Sequence, residues 1–460
     1  MGTVKPNFLG KLIGSKAFYK NLFVVALPII IQNFITSSLN MVDTIMIGRI
    51  GESEIAAVGI SNQYFFLFNL FVIGIYGGCS VFISQFYGKG DKENIKKVVG
   101  LGNVIGIGLS IIFTVVALFF SESIISIFNK DAMVIKLGSD YLKIVCLSYL
   151  FTAISFNYSA ACRCVRKAML PMILSILAII CNTVLNSILI FGMFGIDPMG
   201  VKGAALATLI SRIIECTLLI IFIYTKKLCI ATKLKNMLRY DMKFVGSIVR
   251  HMVPIVLNEA CWGLGSIVYN IIYGRISIQA MASIQITTTI QNLFFVVFFG
   301  ISSAATVIIG NKVGAGKESE ALEDSFKIIF ISVIIGLLVC ICLSSTANTI
   351  VSFFNVSDVV KHSAKIILYV VSCILVIRVI NITIIVGILR GGGDSSYALK
   401  VEAITMWVIG VPMAFIGAVL LKLPVEQVVA LVTIEEVIKC IFSIRRIRSN
   451  SWVKSVVKHI

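Results

Sequence analysis

The chain has 460 residues, 58% of them hydrophobic and 13% charged, with a formal net charge of +18 and a mean hydropathy of +1.00. A soluble protein of this length carries roughly 25% charged residues, so the composition excludes an ordinary soluble globular domain and requires the bilayer as solvent. The positive charge does not point to nucleic acid, because the basic residues gather between apolar runs, where the positive-inside rule accounts for them.

A helix that crosses the hydrocarbon needs roughly 20 apolar residues at about 1.5 Å each. The first residues are polar and basic (Lys5, Lys11, Lys16, Lys20). The apolar run from Leu22 to Ile47 is too long for a secretory leader and reads as the first span. Further spans are expected near 55–84, 98–120, 137–162, 169–192, 203–225, 245–272, 280–310, 325–346, 362–389, 398–421 and 425–444. The runs are continuously apolar, without the alternation of a β-barrel strand. The expected fold is therefore an all-α integral membrane protein of twelve transmembrane helices. Several runs exceed the minimum length, which implies tilt.

Of the 40 Lys and Arg, 28 fall in the terminal segments, the even-numbered loops and their margins; nine fall in the odd-numbered loops and theirs. Arg212, Arg378 and Lys439 lie inside spans. This asymmetry puts both termini in the cytoplasm of a multi-pass protein of the cell membrane.

The sequence also repeats itself. Shifted by 226, residues 28–90 fall on 254–316 without a gap. Pro28-Ile29 meets Pro254-Ile255, Gly48-Arg49 meets Gly274-Arg275, and Gly88-x-Gly90 meets Gly314-x-Gly316. A second block aligns Arg163 with Arg390 at a shift of 227. Hydrophobic bias would not align Gly, Pro and Arg. The shift contains an even number of spans, so the two six-helix bundles are expected to be parallel repeats related by a pseudo-two-fold axis along the membrane normal. The expected lobes are 1–225 (spans 1–6) and 244–460 (spans 7–12 and a basic tail), joined by a cytoplasmic linker at 226–243.

Within the repeat stand specific residues: Leu27-Pro28, then Val42-Asp43-Thr44-Ile45-Met46-Ile47-Gly48 in span 1, and Gln85-Phe86-Tyr87-Gly88 after span 2. Gly200-Val201-Lys202-Gly203-Ala204-Ala205 opens span 6, and Gly387 to Asp394 closes span 10. From about residue 20 to 445 this set resembles the multidrug and toxic compound extrusion (MATE) family of secondary transporters. The resemblance implies a twelve-helix exporter with a central cavity between two lobes. It implies exchange of organic, often cationic, compounds for H⁺ or Na⁺, and a monomer that needs no cofactor beyond the coupling ion.

An ionisable side chain at mid-bilayer costs at least about 2.5–3.5 kcal/mol on insertion scales, so each one is a functional candidate. Asp43 stands five residues before Gly48, and the resemblance assigns this position the coupling role. The alternative is an acid at the membrane interface. Some relatives have an Asn and an Asp one turn apart in span 5; here the pair is Asn182 and Asn186, which can coordinate a cation but cannot titrate. Glu259 in span 7 is the candidate acid of the second half, with Arg378 of span 10 as its candidate partner. Glu259 reads either as a substrate-binding acid or as half of a structural ion pair. Trp262 offers a face to an organic cation. Arg212 and Glu215 are three apart and can neutralise each other. A shift of 224 places Glu436 and Lys439 at the same sites with the signs exchanged. Pro28 and Pro254 are candidate bending points, unless they sit in first turns, where proline is well tolerated.

No phosphate-binding GxxxxGK[ST] loop, nucleophile–base pair or metal cluster is present in the sequence, and the chain is not expected to be an enzyme. His251, His362 and His459 lack zinc-site spacing. The twelve cysteines read as small hydrophobes. The remaining alternatives are a lipid-linked precursor flippase and a narrow-substrate metabolite exporter of the same superfamily. The scarcity of arginine within spans weighs against the flippase.

Overall fold

The computed structural model describes residues 14–231, 241–354 and 356–458, and only the backbone of 39–41. Lys5, Lys11, the centre of the 226–243 linker and His459 lie outside the described residues.

The regular secondary structure of the described residues is all helical, because backbone amides in hydrocarbon must find partners within their own segment. In chain order the helices are α1 (Lys16–Gly48), α2 (Glu52–Lys89), α3 (Lys92–Ser126), α4 (Ala132–Val145), α5 (Ser148–Cys164), α6 (Met169–Phe191) and α7 (Gly200–Thr225). Then follow α8 (Met242–Ile276), α9 (Ile278–Gly314), α10 (Glu318–Ser352), α11 (Asp358–Leu389), α12 (Ser395–Leu420) and α13 (Val425–Arg448).

Ten of these helices are long and apolar enough to cross a membrane, and α4 with α5 form a pair bent by 50° that adds an eleventh candidate. At the break, Cys146 O accepts from both Tyr149 N at 3.0 Å and Thr114 Oγ1 at 2.9 Å. Helix α13 is 24 residues long but carries Glu435, Glu436 and Lys439 near its middle, so apolarity alone does not mark it as a span.

Local signals explain the helix boundaries. Asp91 caps α3 by accepting from Asn94 N at 3.1 Å, and Asp131 caps α4 by accepting from Met133 N and Val134 N. Gly90 and Gly316, related by the repeat, both close their helices in the left-handed region, at φ 80 and 72. Only glycine adopts that conformation without strain.

Both prolines lie well inside their helices, each as the thirteenth residue: Pro28 in α1 and Pro254 in α8. This removes the first-turn alternative for Pro28. The sequence had suggested a span that starts six residues before it, whereas the polar residues from Lys16 onward extend the helix by more than a turn.

The chain forms two compact units, residues 31–252 and residues 1–30 with 253–460. The divisions fall within α1 and α8, beside Pro28 and Pro254.

In the unit of 31–252, α2 packs against α3 and α4, and α6 against α7. Its centre is aromatic: Phe68 stacks on Tyr149 with ring centroids 4.8 Å apart. Gly78 of the Gly74-x-x-x-Gly78 motif meets Met252, so the small residue permits close packing.

In the unit built on 253–460, α11 packs against α9, α10 and α13. Its apolar core includes Phe298, Leu375 and Val379. Helices α11 and α12 contain π-helical stretches at Thr383–Leu389, Thr405–Gly410 and Ile416–Leu420. Beside the first, Thr306 Oγ1 lies within hydrogen-bond reach of Val386 O at 3.0 Å and of Gly387 O at 3.1 Å. The turn after α11 is closed by the tail: Lys454 N donates to Gly392 O, Arg446 and Lys454 pair with Asp394, and the fully buried Trp452 lies against Gly392.

Candidate functional site

Two polar sites are buried within the helices, one in each unit. In the unit of 31–252, Asp43 on α1 faces α6. Asn186 Nδ2 donates to Asp43 Oδ1 at 2.7 Å and to Asn182 Oδ1 at 3.1 Å. The spacing of four places both asparagines on one face of α6, and both are buried. The sequence-predicted trio of Asp43, Asn182 and Asn186 is therefore brought together. Asp43 has no ion-pair partner within 4.0 Å among the described residues. Asn186 Oδ1 is buried without a donor. The trio thus supplies one carboxylate and amide oxygens, a set suited to a proton or a small monovalent cation.

Beside it runs a second chain of polar groups. Gln32 Nε2 donates to Ser175 Oγ at 2.8 Å, Ser175 Oγ donates to Glu215 Oε1 at 2.7 Å, and Arg212 Nη1 pairs with Glu215 Oε2 at 2.8 Å. The predicted Arg212–Glu215 pair forms as expected. It neutralises two charges on one helix and lowers the cost of burying either.

The second unit departs from the expected pairing. Glu259 does not meet Arg378. Its partner is Arg390, whose Nη2 lies 2.6 Å from Glu259 Oε1 and also donates to Asn258 Oδ1 at 2.8 Å. Arg378 pairs instead with Glu436 at 3.3 Å, donates to Gln291 Oε1 at 3.2 Å and lies over the Phe295 ring. Arg390 directly follows the π stretch of α11 and reaches Glu259, whereas Arg378 is 12 residues earlier in the chain.

The expected Glu436–Lys439 pair is also absent. Lys439 pairs with Glu435, four residues before it, at 2.8 Å and with Glu402 of α12 at 3.0 Å. Tyr269 Oη donates to Glu435 Oε2 at 2.5 Å. Asn381 Nδ2 donates to Glu436 Oε2 at 2.7 Å. Sequence reading missed Glu402, Glu435 and Tyr269, although the repeat points to two of them. Tyr269 occupies the position of Asp43 at the 226 shift, and Glu402 that of Ser175 at the 227 shift.

Trp262 lies three residues beyond Glu259 and is 40% exposed. Pro28 and Pro254 sit next to the places where α1 and α8 pass from one unit to the other. No group of three metal-ligating side chains occurs among the described residues.

Ten apolar helices, a repeated sequence and ionisable side chains buried within the spans define the class, a multi-pass membrane transporter. The sequence matches the family described as MatE twice, over residues 28–188 and 254–416, and the chain belongs to this family of MATE transporters. It is 23% identical over 436 residues to the uncharacterized transporter YisQ of Bacillus subtilis, covering 94% of this chain and 95% of that one. It is 25% identical over 398 residues to the probable multidrug resistance protein NorM of Thermotoga maritima, covering 86% and 85%. Among solved structures it is similar to the Vibrio cholerae MATE transporter VcmN in its bent form, with a TM-score of 0.85 and 18% identity, covering 95% of this chain and 99% of that one.

Proposed function

We propose that the protein is a secondary active exporter of small, amphipathic organic cations, driven by antiport against H⁺ or Na⁺. The observation that carries this reading is the Asp43 site. It holds one carboxylate on α1, bonded only to amide nitrogen and lacking any ion-pair partner among the described residues. A carboxylate of this kind holds a coupling ion in one state and releases it in another. If ion and substrate bind in alternation, their fluxes are coupled. The match to relatives named as multidrug resistance proteins supports a drug-like cationic substrate.

Twelve spans in two parallel six-helix repeats, with both termini in the cytoplasm of the cell membrane, complete the proposal. In it α4 with α5 serves as the fourth span, and α13 as the twelfth. A single chain would carry out the cycle. Pro28 and Pro254 would act as the bending points of alternating access: each removes a helix hydrogen bond in mid-helix. The relative VcmN has been solved in a form described as bent. Glu259 is held by Arg390, so its proposed part is to shape the substrate path, together with the exposed Trp262, rather than to supply a free charge.

The test uses everted vesicles from cells that express the full chain, loaded by an imposed ΔpH or Na⁺ gradient in turn. Uptake of a fluorescent organic cation that follows one gradient and is lost in Asp43→Asn supports the reading and identifies the ion. Uptake that ignores both gradients, or persists in Asp43→Asn, rejects it.

A further inference from the structure

The second unit contains a set of charges that the Asp43 reading does not use. Three carboxylates (Glu402 on α12, Glu435 and Glu436 on α13) meet two cations (Lys439 on α13, Arg378 on α11). The pairing is uneven. Glu436 has Arg378 and the Asn381 amide, whereas Glu402 and Glu435 share the single Lys439 ammonium. Glu402, Glu435 and Lys439 are all at least nine-tenths buried, with side-chain exposures of 8%, 5% and 6%. One negative charge is left over in a region where an uncompensated charge is costly.

Among the described residues, the remaining groups that face the set supply no further cation. Tyr269 and Tyr273 of α8 face Glu435, Cys261 of α8 faces Glu402, and Cys440 of α13 faces Glu436. Gln291 of α9 is neutral and binds Arg378.

Two further observations show that the set is a built site. Asn381 is 2% exposed; its amide nitrogen is on Glu436, and its Oδ1 is buried with no donor. Gly410, in the π stretch that follows Glu402, packs directly against Tyr269 Oη and the Glu435 carboxylate, so closely that any Cβ would collide with both.

We propose that Glu402 and Glu435 share one exchangeable proton beside the Lys439 ammonium, forming a second proton site that is separate from Asp43. The proton arrives from water and returns to it. Only a carboxyl O–H bond forms and breaks. With the proton bound the set is neutral; after release it carries one negative charge, a place where a substrate cation can take over the balancing role. Arg378 and Glu436, 31% and 16% exposed, form the open end through which the exchange runs.

The test is infrared spectroscopy of the full-length Asp43→Asn protein in lipid nanodiscs, which removes the Asp43 carboxyl and keeps this inference independent of that site. The expected result is a protonated-carboxyl carbonyl band at neutral pH that shifts in D₂O. Either Glu435→Gln or Glu402→Gln should abolish it. Two variants are used so that a folding defect in one does not decide the matter. In Lys439→Met three carboxylates face Arg378 alone, and the band should grow about twofold. Absence of the band in Asp43→Asn, or its survival in both glutamine variants, overturns the proposal.

Discussion

The two units start from related sequence and bury opposite electrostatic designs. In the unit of 31–252 Asp43 is hydrogen-bonded by the neutral Asn186, which also bonds Asn182, and it has no ion-pair partner within 4.0 Å among the described residues; the nearby Arg212 pairs with Glu215 on its own helix. In the unit of 253–460 the equivalent position is Tyr269, which donates to Glu435 within a network of three carboxylates and two cations. Gln32 and Asn33 stand where the other unit has Asn258 and Glu259, and Ser175 stands where it has Glu402. The same helix positions therefore carry hydrogen-bond chemistry in one unit and ion-pair chemistry in the other. A carboxylate with amide neighbours can change its occupant at low cost. A carboxylate tied to a buried arginine is fixed, because release would strand both charges.

The largest expected effect breaks the first half of this contrast. Asp43→Asn should reduce ion-driven export to background while leaving membrane expression and thermal stability near wild type, measured by vesicle transport and by Tm in detergent. Retained transport would mean that Asp43 is only a structural acid.

Next is the fixed pair. Arg390→Met should destabilise the protein by about 3–5 kcal/mol, because it leaves Glu259 buried without its cation. The double variant with Glu259→Gln should regain much of that loss. Equal Tm values for the single and double variants would show that the pair contributes no coupling. A smaller effect is expected in the polar chain of the first unit. Ser175→Ala removes the donor to Glu215 and the acceptor of Gln32, at a cost of about 1–3 kcal/mol; an unchanged Tm would show that the chain is replaceable. The smallest effect should come from Arg378→Gln. Arg378 is 31% exposed and Glu436 keeps its Asn381 bond, so about 1 kcal/mol or less is expected. A loss as large as that of Arg390→Met would show that Arg378 is as firmly fixed as the inner arginine.

Features set by local sequence were legible before any coordinates. The apolar runs gave the helices, and the three-residue spacing of Arg212 and Glu215 their ion pair. The trio of Asp43, Asn182 and Asn186 was legible through the family resemblance. Partners that depend on the depth at which two helices meet were not. Arg378 and Arg390 are 12 residues apart, which is about 18 Å along a helix, and nothing in the sequence says which of them lies level with Glu259. The π stretches of α11 and α12 also shift register and direction without a sequence mark. On α13, Lys439 had carboxylates both three and four residues before it, and Glu402 on a neighbouring helix drew it to Glu435. The tail read as a basic cytoplasmic segment, yet Trp452 is buried against Gly392, a contact that no periodicity announces.

The most direct test of the central claim is counter-transport in proteoliposomes containing the purified chain. An outward gradient of a fluorescent organic cation is imposed with no initial ion gradient, and internal pH and internal Na⁺ are followed together. The account predicts that cation efflux drives inward movement of one of the two ions, and that both fluxes stop in Asp43→Asn. Efflux that proceeds without ion entry, or coupled fluxes that persist in Asp43→Asn, would contradict it.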